Sequence, residues 1–130
     1  PIRHDLYGDP EAPRGAYRPS EGALWEIPMT TVRLFGRNYP CAGGGYFRLM
    51  PYALFRAGLR RFHRIDRLPG MFYFHPWEID PGQPRIPGAS ARARIRHYLN
   101  LAAMSGRLQH LLRDFTWGRV DQVFGHLLTA

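Results

Sequence analysis

Apolar and polar positions change rhythm several times along the chain, and each rhythm predicts an element. Residues 1–23 hold four prolines, three glycines and several charges without periodicity, which reads as a connecting loop. The stretch LWEIPMTTVRLF, Leu24 to Phe35, is dense in β-branched and aromatic residues. It predicts one strand or a bent pair, with Pro28 at an edge or bulge. Gly36 to Gly45 predicts a turn, its three successive glycines permitting unusual backbone angles. From Tyr46 to about Arg64 the spacing is helical. Phe47, Met50, Leu54, Ala57 and Leu59 lie near one face, Arg48, Arg56, Arg60 and Arg64 elsewhere, and Pro51 suits a first turn.

After the Leu68-Pro69-Gly70 stop, Met71–Phe74 predicts a short buried strand, so that helix and strand form an αβ step. Pro76 to Gly88 reads as loop. Ser90 to about Phe115 predicts one long helix with Ser90 as N-cap and Gly106 as a weak point. Ile95, Leu99, Ala102, Leu108, Leu111, Leu112 and Phe115 supply its apolar side. A last amphipathic segment, Arg119–Leu128, follows a turn at Thr116–Gly118.

Composition narrows the class. The 130 residues suffice for one domain with a core, and 45% apolar content argues against a disordered chain. No run has the length of a membrane helix, and no stretch resembles a signal peptide. The chain opens at Pro1 inside a loop-like segment, which reads as a fragment whose upstream part is missing. The net charge of +8 comes with eighteen arginines and no lysine. Such charge suits an anionic polymer, but the arginines are scattered, which favours arginine simply replacing lysine on solvated faces. Cys41 is the single cysteine, so no intrachain disulfide forms.

The sharpest chemistry lies in MFYFHPWEID, residues 71–80. His75 directly follows the predicted strand, where α/β folds place functional side chains. An imidazole there can act as general acid or base, or serve structurally by bonding a carbonyl. Trp77 offers an apolar or sugar-stacking wall, and Glu78 or Asp80 a carboxylate to orient the imidazole; taken singly, each reads more readily as a loop anchor, cap or surface charge. Gly43–Gly45 lacks the lysine and spacing of a P-loop, so a tight turn is the better reading than a phosphate cradle. The remaining histidines, His4, His63, His97, His110 and His126, are dispersed without metal-binding spacing. Ser20, Ser90 and Ser105 lack a GxSxG setting.

PIRHDLYGDPEAPR, EIPMTTVRLFGRNYPCAGGGYFRLMPY, FYFHPWEIDPGQPR, RIRHYLNL and LLRDFTWG together span nearly the whole chain. In this order they resemble the C-terminal half of bacterial polysaccharide deacetylases of the NodB-homology carbohydrate esterase group. The nearest likeness is to the subfamily found with exopolysaccharide and exosortase (PEP-CTERM) loci. The resemblance implies an α/β fold: residues 1–88 as the C-terminal part of a distorted (β/α) barrel, residues 89–130 as a helical C-terminal extension.

It also implies a metal-dependent enzyme that removes acetyl groups from N-acetylated polysaccharides or oligosaccharides, with no nucleic-acid partner. His75 matches the histidine of a late Leu-x-His motif that protonates the leaving amine. Tyr73 stands where relatives carry the leucine lining the acetyl pocket, and Tyr73 and Trp77 become the expected substrate-binding residues. The divalent metal, commonly zinc, would be held by motifs upstream of Pro1, with no ligand in this chain. The piece alone is therefore expected to be inactive and poorly stable. The rival reading is a non-catalytic basic module that grips acidic polysaccharide or nucleic acid, drawing on Arg92, Arg94 and Arg96.

Overall fold

The computed structural model describes Asp9, residues 11–19 and residues 24–128; His4, Ser20 and most of the opening loop lie outside them. Strand β1 (Thr31–Leu34) pairs antiparallel with β2 (Arg37–Pro40), Thr31 opposite Pro40 and Leu34 opposite Arg37. Phe35 and Gly36 form the two-residue connection, both at positive φ (49° and 75°), the combination that matches the twist of a tight hairpin. Residues 37–40, read from sequence as turn, are thus the second strand. Phe35 at the tip is fully exposed.

Pro51 divides the helix predicted over 46–64. Helix α1 (Gly44–Leu49) ends where Met50 turns extended (ψ 148°), the conformation forced on a residue before proline. Pro51 then caps α2 (Tyr52–Asp66), which stops at Arg67 in the left-handed region. The new phase changes the buried face: Phe55, Leu59 and Phe62 point inward, while Leu54 is exposed. Arg48, expected on a solvated face, is buried instead.

Met71–Phe74 does not form a strand, and Tyr73 and Phe74 are exposed. The segment is tied to the residue just before β1. The Met71 N–H donates to Thr30 Oγ1 at 2.7 Å, and the Thr30 hydroxyl donates to Met71 O at 2.9 Å. On the other side Thr30 O accepts from the Cys41 N–H at 2.9 Å, so three chain segments meet at this buried threonine. A single 3-10 turn, Pro76–Ile79, follows.

The predicted long helix is broken, at Asn100 and not at Gly106. Helix α3 (Ala91–Tyr98) starts with the Ser90 hydroxyl accepting from the Ala93 N–H. Asn100 takes φ 56°, and α4 (Leu101–Asp114) starts after it. Two short helices, α5 (Val120–Val123) and α6 (Gly125–Leu128), end the described chain. One hydrophobic cluster joins Val32, Cys41, Phe47, Phe55, Leu59 and Phe62 to Met104 and Leu111 of α4. The apolar side of residues 90–115 is narrower than its spacing implied, since Ile95 and Leu112 remain exposed. Burial pushes the Cys41 thiol up to about 12, so it behaves as a small core residue. The architecture is mixed α/β, a two-stranded sheet with several helices; no barrel closes among the described residues.

Candidate functional site

A buried ion pair organises the surroundings of His75. Arg48 and Glu78 are almost fully buried, with Arg48 Nε donating to Glu78 Oε1 at 3.1 Å. The other Glu78 oxygen accepts the His75 backbone N–H at 2.8 Å, and the Glu78 N–H returns a bond to His75 O at 2.9 Å. Glu78 thus fixes the backbone of His75 rather than its ring. Arg48 also donates from Nη1 to the carbonyls of His97 (3.0 Å) and Leu99 (2.8 Å), which close α3. The favourable placement of a cation at a helix C-terminus adds to these bonds.

Gly44 explains how the carboxylate fits. A Cβ built there would collide with Glu78, so the helix start and the 3-10 turn approach through a gap that only glycine leaves. Gly43 has φ 84°, and a Cβ on it would meet the Tyr73 ring at 2.9 Å. The glycine run is therefore a tight turn in close contact with residues 73 and 78. The C-terminus of α1 is held too: Arg107 donates to the carbonyls of Phe47, Arg48 and Met50, and Asn100 Nδ2 donates to Arg48 O at 2.7 Å.

Above this base stands a row of rings. Tyr73 meets His75 edge-on at 5.6 Å, His75 lies parallel to Trp77 at 6.0 Å, and Trp77 stacks on His97 at 4.2 Å. His97 is held by Gln83, whose Oε1 lies 2.8 Å from Nε2 and whose amide donates to Trp77 O at 2.9 Å. The Arg48 guanidinium lies over the Trp77 ring at 5.2 Å. Asp80 stays outside the row; its carboxylate accepts the Gly82 N–H at 3.0 Å and shapes its own turn.

Tyr73, His75, Trp77 and His97 line a cavity of about 430 Å³ together with Arg92 and Arg96 of α3. A second cavity of about 700 Å³, against Tyr46, Leu49, Ile95 and Leu99, shares Tyr73, Arg92 and Arg96 with it. These volumes suit small-molecule or oligomer subsites. The three expected site residues, His75, Tyr73 and Trp77, thus lie along one groove. Sequence reading passed over Arg48, His97 and Gln83. Their roles arise from contacts 30 or more residues away for Arg48, and 20 for His97 on Trp77, which no local motif marks.

Among the described residues no three His, Cys, Asp or Glu side chains converge as metal ligands. None of the described helices is long and apolar enough to cross a membrane.

A mixed α/β domain with an aromatic, arginine-bordered groove is the class that fold and site define. Within it, the chain belongs to the family described as "Domain of unknown function (DUF3473)", which matches residues 1–125. That domain is associated with polysaccharide deacetylases. No curated protein and no solved structure matches the chain.

Proposed function

We propose that the chain is the C-terminal part of a NodB-homology polysaccharide deacetylase, contributing the general acid to hydrolysis of N-acetyl groups on amino sugars in exopolysaccharide biosynthesis. The observation that carries the reading is the setting of His75. Its ring is exposed in the groove while its backbone is clamped from below by the buried Glu78–Arg48 pair. A group that delivers a proton needs a fixed origin and an open path, and this arrangement supplies both.

Amide hydrolysis breaks the acyl C–N bond, and the leaving nitrogen must gain a proton. In this reading the His75 imidazole donates it, while Tyr73 and Trp77 flank the ring and wall the sugar. Tyr73 takes the position that the resemblance gives to a leucine, so the acetyl group would meet an aromatic edge instead of an aliphatic side chain. The metal that the resemblance implies would be bound by residues before Pro1. The (β/α) barrel belongs to the same proposal.

The test is acetate release from N-acetylated oligosaccharides by the full-length protein supplied with zinc. His75→Ala should lower kcat by about a hundred- to ten-thousandfold with little change in KM. Because Glu78 holds the backbone, the variant should fold normally. Activity within a few-fold of wild type would remove His75 from the acid role. No acetate release with any divalent metal would remove the enzyme reading.

A further inference from the structure

Two arginines in the groove pair with no other side chain among the described residues. Arg92 and Arg96 are four residues apart, on one face of α3, and both line both cavities. Both are exposed, and neither guanidinium has a hydrogen-bond or ion-pair partner among the described residues. Arg94, two residues from each, lines neither cavity. Among the described residues the acid lining the first cavity is Glu78, and its charge is already matched by Arg48. The groove beside His75 therefore carries two positive charges, four residues apart on one helix, that have no partner among the described residues.

We infer that this groove takes a carboxylated polysaccharide, in which a uronic-acid residue neighbours the acetylated amino sugar and is held by Arg92 and Arg96. The inference rests on the deacetylase reading only for the acetylated residue. A guanidinium pairs with a carboxylate through two parallel N–H···O bonds, so two arginines side by side select a charged sugar over a neutral one. Single-stranded nucleic acid fits less well. Base stacking needs open ring faces, whereas His97 covers a face of Trp77 at 4.2 Å and the Arg48 guanidinium also lies over that ring.

Binding of two probes to the full-length protein tests this: a hyaluronan hexasaccharide, which alternates N-acetylglucosamine with glucuronate, and the neutral hexamer of N-acetylglucosamine. At low salt the acidic probe should bind about tenfold more tightly, the sum of two partly exposed charge pairs. The preference should vanish in R92Q/R96Q, persist in R94Q, and shrink with added salt. Equal affinities, a preference that survives R92Q/R96Q, or an equal loss in R94Q would overturn the inference. So would tighter binding of single-stranded RNA through the same two arginines. His75-dependent acetate release from the N-acetylglucosamine hexamer without any acidic preference would overturn the charged-sugar inference and leave deacetylation standing. The preference without acetate release would support the groove and remove the enzyme.

Discussion

Gly44 shows how much one missing Cβ decides. Three consecutive glycines signalled a tight turn, yet they do three different things. Gly43 adopts a positive φ, Gly44 makes room for the Glu78 carboxylate, and Gly45 has open space around it. Gly44→Ala should therefore cost about 1–3 kcal/mol or more, since the added methyl pushes on a buried carboxylate already tied to Arg48 and His75. Gly45→Ala, inside α1, should be neutral or stabilising by up to about 1 kcal/mol. Urea denaturation of the two variants checks the contrast; equal stabilities would mean the carboxylate can move aside. The pair itself was half legible. Glu78 stood out beside His75, but Arg48 looked like one more surface arginine. Only its burial and its reach to the end of α3 reveal otherwise.

At the scale of elements, sequence periodicity placed helices in the right stretches and missed where they break. Gly106 was the apparent weak point, but an interior glycine costs a helix only about 1 kcal/mol, and α4 runs through it. Asn100 breaks the helix because its amide finds the Arg48 carbonyl and its backbone tolerates the left-handed region. Asn100→Ala should destabilise the protein by about 1–2 kcal/mol through the lost bond and the strained φ. Asn100→Gly, which keeps the backbone at ease, should cost less, reversing the order expected inside a helix. Unfolding midpoints decide it: an alanine variant as stable as wild type would mean that residues 91–114 can run on as one helix. The expected strand at Met71–Phe74 failed for a related reason. β-propensity marks a segment that can pair, but pairing needs a neighbour, and among the described residues its recorded backbone partner is Thr30.

Across the whole molecule, α2 and α4 are joined at their surfaces as well as through the core. Tyr52 donates to Asp114 at 2.6 Å, and Arg56 pairs with the same carboxylate at 3.3 Å. The Tyr52 hydroxyl, followed by Arg56, holds the Asp114 carboxyl below its usual range against the opposing effect of burial. A depressed folded value means that this contribution is present above the ordinary carboxylate range and lost as pH falls through the folded value. Burial first, then the bond to Asp114, raises the Tyr52 phenol to about 12. Its contribution is present below the ordinary phenol value of about 10 and lost as pH rises toward 12. Asp114→Asn should lower stability at neutral pH and flatten the acid side of the stability profile, read as the urea midpoint against pH. An acid limb parallel to wild type would mean that other carboxylates govern it.

The amino-acid sequence by itself determined the local facts: the helical stretches, Ser90 as a cap, and His75, Tyr73 and Trp77 as neighbours in the chain. Each follows from side-chain chemistry acting over a few residues. Only the tertiary structure decided that Arg48 is buried, that Gly44 must lack a side chain, and that His97 stacks on Trp77. Likewise only the fold set Arg92 and Arg96, but not Arg94, along the groove. The reason is physical. A buried charge is tolerated only where a partner from elsewhere in the chain meets it, and periodicity carries no record of that meeting.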